Sequence, residues 1–158
     1  MNKKNEIINI KDFKAAIGAK KAVLGFDYGS KRLGVSVSDI GLMIATAQKI
    51  IQRTTFEKDL AEIKKIIAEK EVGGIVYGLP KQMNGEEGEI ALEVRKFAEK
   101  LSEFIDLPYF FWDERLSSSA VESFLIQGVD MNRKRRKEVL DAAAAAYILQ
   151  GFLDRLAR

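Results

Sequence analysis

The 158-residue chain has no cysteine and no histidine. The first absence excludes disulfides and every thiolate metal site. The second removes the commonest general base and the commonest zinc ligand, so any chemistry must rest on carboxylates, hydroxyls or lysine. No apolar run approaches the roughly 20 residues that cross a bilayer. Nothing in the first residues resembles the continuous apolar stretch of a secretion signal, and the expected setting is soluble and cytoplasmic, with no membrane role. Charge imbalance is lacking too: 26 basic against 23 acidic residues leave a formal net charge of +3. That sum is too small to argue for a polyanionic partner, and the distribution of charge carries more information.

What is present is enough apolar material, 47% of residues, to build one core and one domain. Residues 1–21 read as an N-terminal extension, a short helix or loose arm with Ile7, Ile8, Ile10, Phe13 and Ile17 scattered along it. Residues 22–158 read as the folded domain, without an internal repeat or a low-complexity linker. Ala22 to Asp27 is a nearly continuous apolar run ending in a carboxylate, the pattern of a buried strand. Leu33 to Asp39 alternates, with Leu33, Val35 and Val37 on one face and Gly34, Ser36 and Ser38 on the other, as a half-buried antiparallel strand does. Ala45 to Arg53 completes a meander of three strands.

Thr55 can cap a helix in which Leu60, Ile63, Ile66 and Ile67 recur at helical spacing, with Gly73-Gly74 as its stop. Ile75 to Leu79 is a fourth strand. A second helix carries Ile90, Val94, Phe97 and Leu101 along one stripe and leads into Tyr109 to Trp112, a fifth strand. Alternation of strand and helix implies parallel pairing here. Ser117 to Gln127 reads as helical, closed by Gly128, and a long final helix is expected from about Arg133 to Leu156. The expected class is α/β: a ribonuclease H-like mixed five-stranded sheet, three antiparallel meander strands plus two parallel ones, flanked by helices.

Candidate chemistry clusters at element ends. Asp27 closes an apolar strand, where a carboxylate is costly unless solvated, hydrogen-bonded or bound to a cation; the alternative is a turn-forming Asp before Gly29. The hairpin that follows, Gly29-Ser30-Lys31-Arg32, adds two cations suited to phosphate beside metal. Asp141 falls on the same helical face as Ala145, Ile148 and Phe152 and requires a partner, either a cation in a site or Lys137 one turn earlier. The alanines at 142–146 let that helix approach the sheet closely, which would carry Asp141 towards the strand ends. Trp112-Asp113-Glu114-Arg115 offers two acids on opposite faces. Parity groups Glu114 with Phe110 and Trp112, and aligns Asp113 with Arg115, with which it can pair. Glu114 is the preferred ligand and Asp113 the substitute.

Two further segments could touch substrate. Gly78-Leu79-Pro80 and the polar loop through Gly88 lie at the C-terminal end of a strand, where parallel sheets place their sites. Arg133-Lys134-Arg135-Arg136-Lys137 crowds cations at a helix start that disfavours them, and phosphate would relieve the repulsion.

These segments resemble the YqgF-type family, described as Holliday-junction-resolvase-like and as pre-16S ribosomal RNA nucleases. The resemblance rests on Gly25 to Asp39, Tyr77 to Pro80 with Gly85 to Gly88, Trp112 to Ser117, and Asp141 to Ala144, and covers about Ala22 to Leu156. It implies a ribonuclease H-like fold, a bacterial cytoplasmic setting and a metal-dependent nuclease that matures the 5′ end of the small-subunit ribosomal RNA. The family's acids map onto Asp27, Glu114 and Asp141, which would hold Mg²⁺ or Mn²⁺, as one ion or two. Lys31, Arg32, Arg115, Arg133, Arg135, Arg136 and Lys137 would then hold the backbone of precursor ribosomal RNA or of branched DNA, in a monomer or a homodimer. The Asp-x-Gly-Ser hairpin also begins actin- and hexokinase-like phosphotransferases, which need two such domains. A non-catalytic nucleic-acid-binding accessory factor is the third reading.

Overall fold

The computed structural model describes residues 5–116 and 133–158, with the side chains of Leu116 and residues 133–142 outside that description. The expected helix over Ser117 to Gln127 and its closing Gly128 also lie outside the described residues.

Five strands form one mixed sheet in the order β3-β2-β1-β4-β5: β1 (Ala22–Tyr28), β2 (Arg32–Ser38), β3 (Ala45–Gln52), β4 (Val72–Leu79) and β5 (Tyr109–Asp113). The first three are an antiparallel meander. β4 and then β5 add in parallel beside β1. Helices α1 (Ile10–Ile17), α2 (Phe56–Lys70), α3 (Glu89–Ser102) and α4 (Arg133–Leu156) cover its two faces. Alternation along β1 divides the core. Leu24 and Phe26 join Ile63, Ile66, Val94, Phe97 and Leu101 of α2 and α3 on one side. Val23 joins Phe13 and Ile17 of α1 and Ile148, Leu149 and Phe152 of α4 on the other.

Three local expectations are corrected. Gly73 and Gly74 do not stop α2. That helix ends at Glu71, which takes the left-handed conformation (φ 53°, ψ 54°) and donates its N–H to the Ile67 carbonyl, and both glycines run inside β4. Their missing side chains serve α1 instead. A Cβ on Gly74 would lie 2.9 Å from the Phe13 ring, and one on Gly73 would lie 2.5 Å from the Ile17 carbonyl oxygen. Glycine within a strand commonly marks such a close approach.

Second, the Gly34, Ser36 and Ser38 face of β2 is not solvated. Ser36 and Ser38 are buried because α4 lies across that face. Their hydroxyls are satisfied internally: Ser36 Oγ donates to the Ala145 carbonyl (2.8 Å), and Ser38 Oγ accepts from Val23 N–H (2.8 Å). Third, Ile90 is exposed, and the inner stripe of α3 is Ala91, Val94, Phe97, Ala98 and Leu101.

The segment before β1 is tied to the sheet. Ile7 N–H donates to the Tyr109 carbonyl and Tyr109 N–H to the Asn5 carbonyl, both at 2.8 Å, beside the β5 edge. Asn9 caps α1, its side chain accepting from Lys11 and Asp12 N–H, and the helix presents Phe13 and Ile17 inward. Among the described residues no helix is long and apolar enough to cross a membrane.

Phe13 is fully buried between Phe110 and Phe152. Phe13→Ala should therefore cost about 3–5 kcal/mol, read as a lower urea midpoint at unchanged slope. A wild-type midpoint would show that α1 lies outside the cooperative unit.

Candidate functional site

Three chain segments converge at the C-terminal ends of β1 and β4. The first is the end of β1. Its alternation sends Phe26 into the α2/α3 side of the core and Asp27 to the α4 side, where it stands opposite Gly34 of β2. The turn that follows is held from outside: Arg53 N–H donates to the Lys31 carbonyl (2.9 Å) and Arg53 Nη1 to the Gly29 carbonyl (3.1 Å). Gly29 has no alternative here, because a Cβ would lie 2.5 Å from the Arg32 carbonyl oxygen. The result is an open pocket of about 290 Å³ whose lining includes Asp27, Ser30, Lys31, Arg32 and Gly34. The two hairpin cations named from sequence thus lie with the strand-end acid.

The second segment is the end of β5. Glu114 opens a short 3₁₀ turn (Glu114–Leu116), and its side chain lies over Gly78 of β4. A Cβ on Gly78 would fall 2.6 Å from Glu114 Oε1 and 2.7 Å from Ile148 Cδ1 of α4. Gly78 directly follows Tyr77, the register partner of Phe26, so the Glu114 carboxyl sits above the strand adjacent to Asp27. Burial, then the charge of Asp27, then that of Asp113, push Glu114 up to about 7. Two acids are crowded where water is scarce, and a cation would relieve the strain between them.

Asp113 points away from this pair and chelates Arg115, with Nη2 at 2.7 Å and Nε at 3.1 Å from its carboxylate oxygens, and that guanidinium holds its carboxyl below the usual range. Arg115 also donates from Nη1 to the Met83 carbonyl (3.4 Å). It thereby fastens the loop from Pro80 to Gly88, which is itself closed by Gln82 N–H to the Glu86 carbonyl (2.8 Å). The salt bridge that parity anticipates between Asp113 and Arg115 is present.

The third segment is α4. Its backbone includes Asp141 and the basic run at its start, but the side chains of Asp141, Arg133, Arg135, Arg136 and Lys137 lie outside the described residues. What is described is the seat of the next turn. Ser36 Oγ grips the Ala145 carbonyl, Leu149 stands where a Cβ on Gly25 would be (2.9 Å from its Cβ), and Gln150 accepts from Ala45 N–H at 2.8 Å. Position 141 is one helical turn before that anchor. Among the described residues no group of three potential metal-ligating side chains occurs.

Sequence reasoning missed Arg53, and it named Gly78 only as part of a substrate-facing segment, not as the space Glu114 occupies. The signal for Gly78 was a glycine inside an apolar strand. Arg53 carried none, because its role depends on the fold bringing it under the turn.

With this geometry in place, comparisons add kinship. A family model described as "RuvX: Holliday junction resolvase" matches residues 21–155. A protein of Cereibacter sphaeroides named "Putative pre-16S rRNA nuclease" is 49% identical over 148 residues, covering 94% of this chain and 92% of its own. One of the same name from Roseobacter denitrificans is 46% identical over 147 residues, covering 92% and 90%. Among solved structures, RuvC of T. thermophilus in complex with Holliday junction substrate superposes with a TM-score of 0.53 at 12% identity, covering 87% of this chain and 96% of that one. The fold is therefore the ribonuclease H-like fold of the resolvases.

A carboxyl raised in the folded state stabilises the fold while it is protonated in both states. That contribution is lost as pH rises from about 4.5, its ordinary value, through about 7. In chelator-treated protein, the stability of wild type relative to Glu114→Gln should fall across this window and be flat on either side. Parallel pH profiles for the two proteins would refute the shift.

Proposed function

Because the chain belongs to the RuvX family of Holliday junction resolvases, we propose that it is a nuclease that hydrolyses phosphodiester bonds at the site formed by Asp27, Glu114 and Asp141. One observation carries this reading: the Glu114 carboxyl is held over side-chain-free Gly78, beside Asp27, at the cost of a carboxyl raised to about 7. A fold has no structural use for two acids so placed. A hard divalent cation does, since it prefers carboxylate oxygens and lowers the energy of both charged forms.

Asp27 and Glu114 fit such an ion, and Asp141 would complete the set. Bound there, Mg²⁺ or Mn²⁺ supplies an acidified water and a counter-charge for the leaving oxygen. The chain's own residues do the rest. Lys31 and Arg32 meet the phosphate at the rim of the pocket, Arg53 keeps their turn in place, and Arg115 keeps the Pro80–Gly88 loop beside Glu114. With no histidine in the chain, deprotonation of water rests on carboxylates. The cations of 133–137 would add backbone contacts that read no base sequence.

The relatives' names favour precursor 16S ribosomal RNA as substrate, and with it a role in ribosome biogenesis. The family description favours a four-way DNA junction. A junction demands paired sites, whereas trimming RNA does not. Cleavage of both substrates, with mass measured in solution, decides between them.

Asp27→Asn should lower cleavage by more than the roughly 10–100-fold that loss of an outer partner costs a metal site, while binding of the substrate is retained. A preparation free of contaminating nuclease in which Asp27→Asn cuts like wild type would sink the assignment.

A further inference from the structure

On the opposite side of the hairpin turn lies a second hollow, of about 330 Å³, lined by Tyr28, Arg53, Phe56, Glu93, Lys96, Phe97 and Lys100. Tyr28 lines both this hollow and the Asp27 pocket. The hollow combines three cations with three aromatic rings, and two of the cations, Arg53 and Lys100, sit on ring faces. The Arg53 guanidinium carbon is 4.9 Å from the Tyr28 ring centre and 5.1 Å from that of Phe97. Lys100 Nζ is 4.2 Å from the centre of Phe56, which in turn packs on the half-exposed Phe104, their centroids 5.5 Å apart.

Packing alone does not call for this arrangement. Phe97 is already held by Phe26 and Tyr77 from within the core, and Lys96 and Lys100 are both on the exposed side of α3. Glu93 is the one acid of the lining and Asp59 behind it pairs with Arg53, so the positive balance rests on Lys96 and Lys100. Arg53 is braced by the buried Asp59, 3.5 Å from its Nε, and by the Gly29 carbonyl. It is thus a fixed part of both the turn and the hollow.

We infer that this hollow is a subsite for single-stranded nucleic acid, in which the strand leaving the cleavage pocket crosses the Lys31-Arg32 turn and lays a base against Phe56, from whose ring Lys100 turns to join Lys96 on the phosphates. The inference rests on the nuclease reading above and extends it from the cut to the flanking nucleotides. Aromatic faces beside cations are the ordinary means of holding unpaired bases without reading sequence. The requirement for an unpaired base makes the hollow select single strands, or frayed ends, over continuous duplex.

The test uses the full chain carrying Asp27→Asn, so that binding is read without cleavage, and a fluorescent single-stranded RNA of mixed sequence. Lys96→Ala/Lys100→Ala should weaken binding about 10-fold and reduce the slope of log K against log salt by about 1–2. Phe56→Leu, which keeps the apolar contact with Phe104, should weaken single-stranded RNA several-fold and leave duplex RNA unchanged. Wild-type affinity and salt slope in the double lysine variant would overturn the subsite while leaving the nuclease assignment intact. Binding lost equally for duplex and for a polyglutamate peptide would also overturn it, marking a general polyanion surface. If the Asp27→Asn protein binds no RNA at all, the subsite falls and precursor RNA falls as substrate with it, while cleavage of a four-way DNA junction would still uphold the nuclease reading.

Discussion

Everything at the candidate site depends on how closely α4 can lie on the sheet. The hydroxyl of Ser36, fully buried in β2, donates to the Ala145 carbonyl of α4 at 2.8 Å, a bond that forms only where helix backbone and strand are nearly in contact. Gly25 permits the approach, since Leu149 fills the space of its absent side chain. A hydroxyl buried without a partner costs roughly 1–3 kcal/mol, so the pairing fixes the helix in register as well as in distance. Slippage by one residue would leave Ser36 only its longer bond to the Gly25 carbonyl (3.3 Å) and drive Leu149 out of its seat. Gln150 adds a second fastening through Ala45 N–H and the Met43 carbonyl.

That seat also explains where the acids go. With α4 down on the sheet, Ile148 and Gly78 leave a gap that only a side chain arriving from the end of β5 can fill, and Glu114 fills it. Any side chain at position 78 would collide with Glu114 and Ile148. Glycine there is thus the geometric condition for Glu114 to stand beside Asp27. The same crowding raises the Glu114 carboxyl.

Much of this was legible in the sequence, for identifiable reasons. Period-two alternation in β2, apolar continuity in β1 and the helical stripes of Ile63 and Ile66, and of Val94 and Phe97, record burial, and burial is what these patterns report. The extent of α4 and the directions of the strands followed from them. Illegible were features that depend on contact between distant segments. Ser36 and Ser38 look like a solvent face until a helix more than 100 residues later covers them. Gly73 and Gly74 look like a helix stop, because their actual role is to admit Phe13 and Ile17. Asp27 was visible as an anomaly, a charge at the end of an apolar strand. Glu114 could be separated from Asp113 only by parity, and the bidentate grip of Arg115 on Asp113 supplies the physical reason.

The two faces of the sheet carry different chemistry, and the hairpin after β1 is where they meet. On the α4 side, small residues, Gly25, Gly34, Ser36 and Gly78, clear space for backbone and carboxylates. On the α2/α3 side, Phe26, Tyr28, Tyr77, Phe97, Tyr109 and Phe111 form a continuous aromatic cluster. Because successive residues of a strand face opposite ways, Asp27 and Tyr28 deliver an acid to one face and a ring to the other within a single peptide step. Arg53 then couples them. Its backbone and guanidinium hold the turn carbonyls of Lys31 and Gly29, while its charge lies over Tyr28 and Phe97. A displacement of this one side chain would move the Lys31-Arg32 turn and the aromatic surface together, so under the proposed function one contact would set the geometry of cutting and of holding the strand.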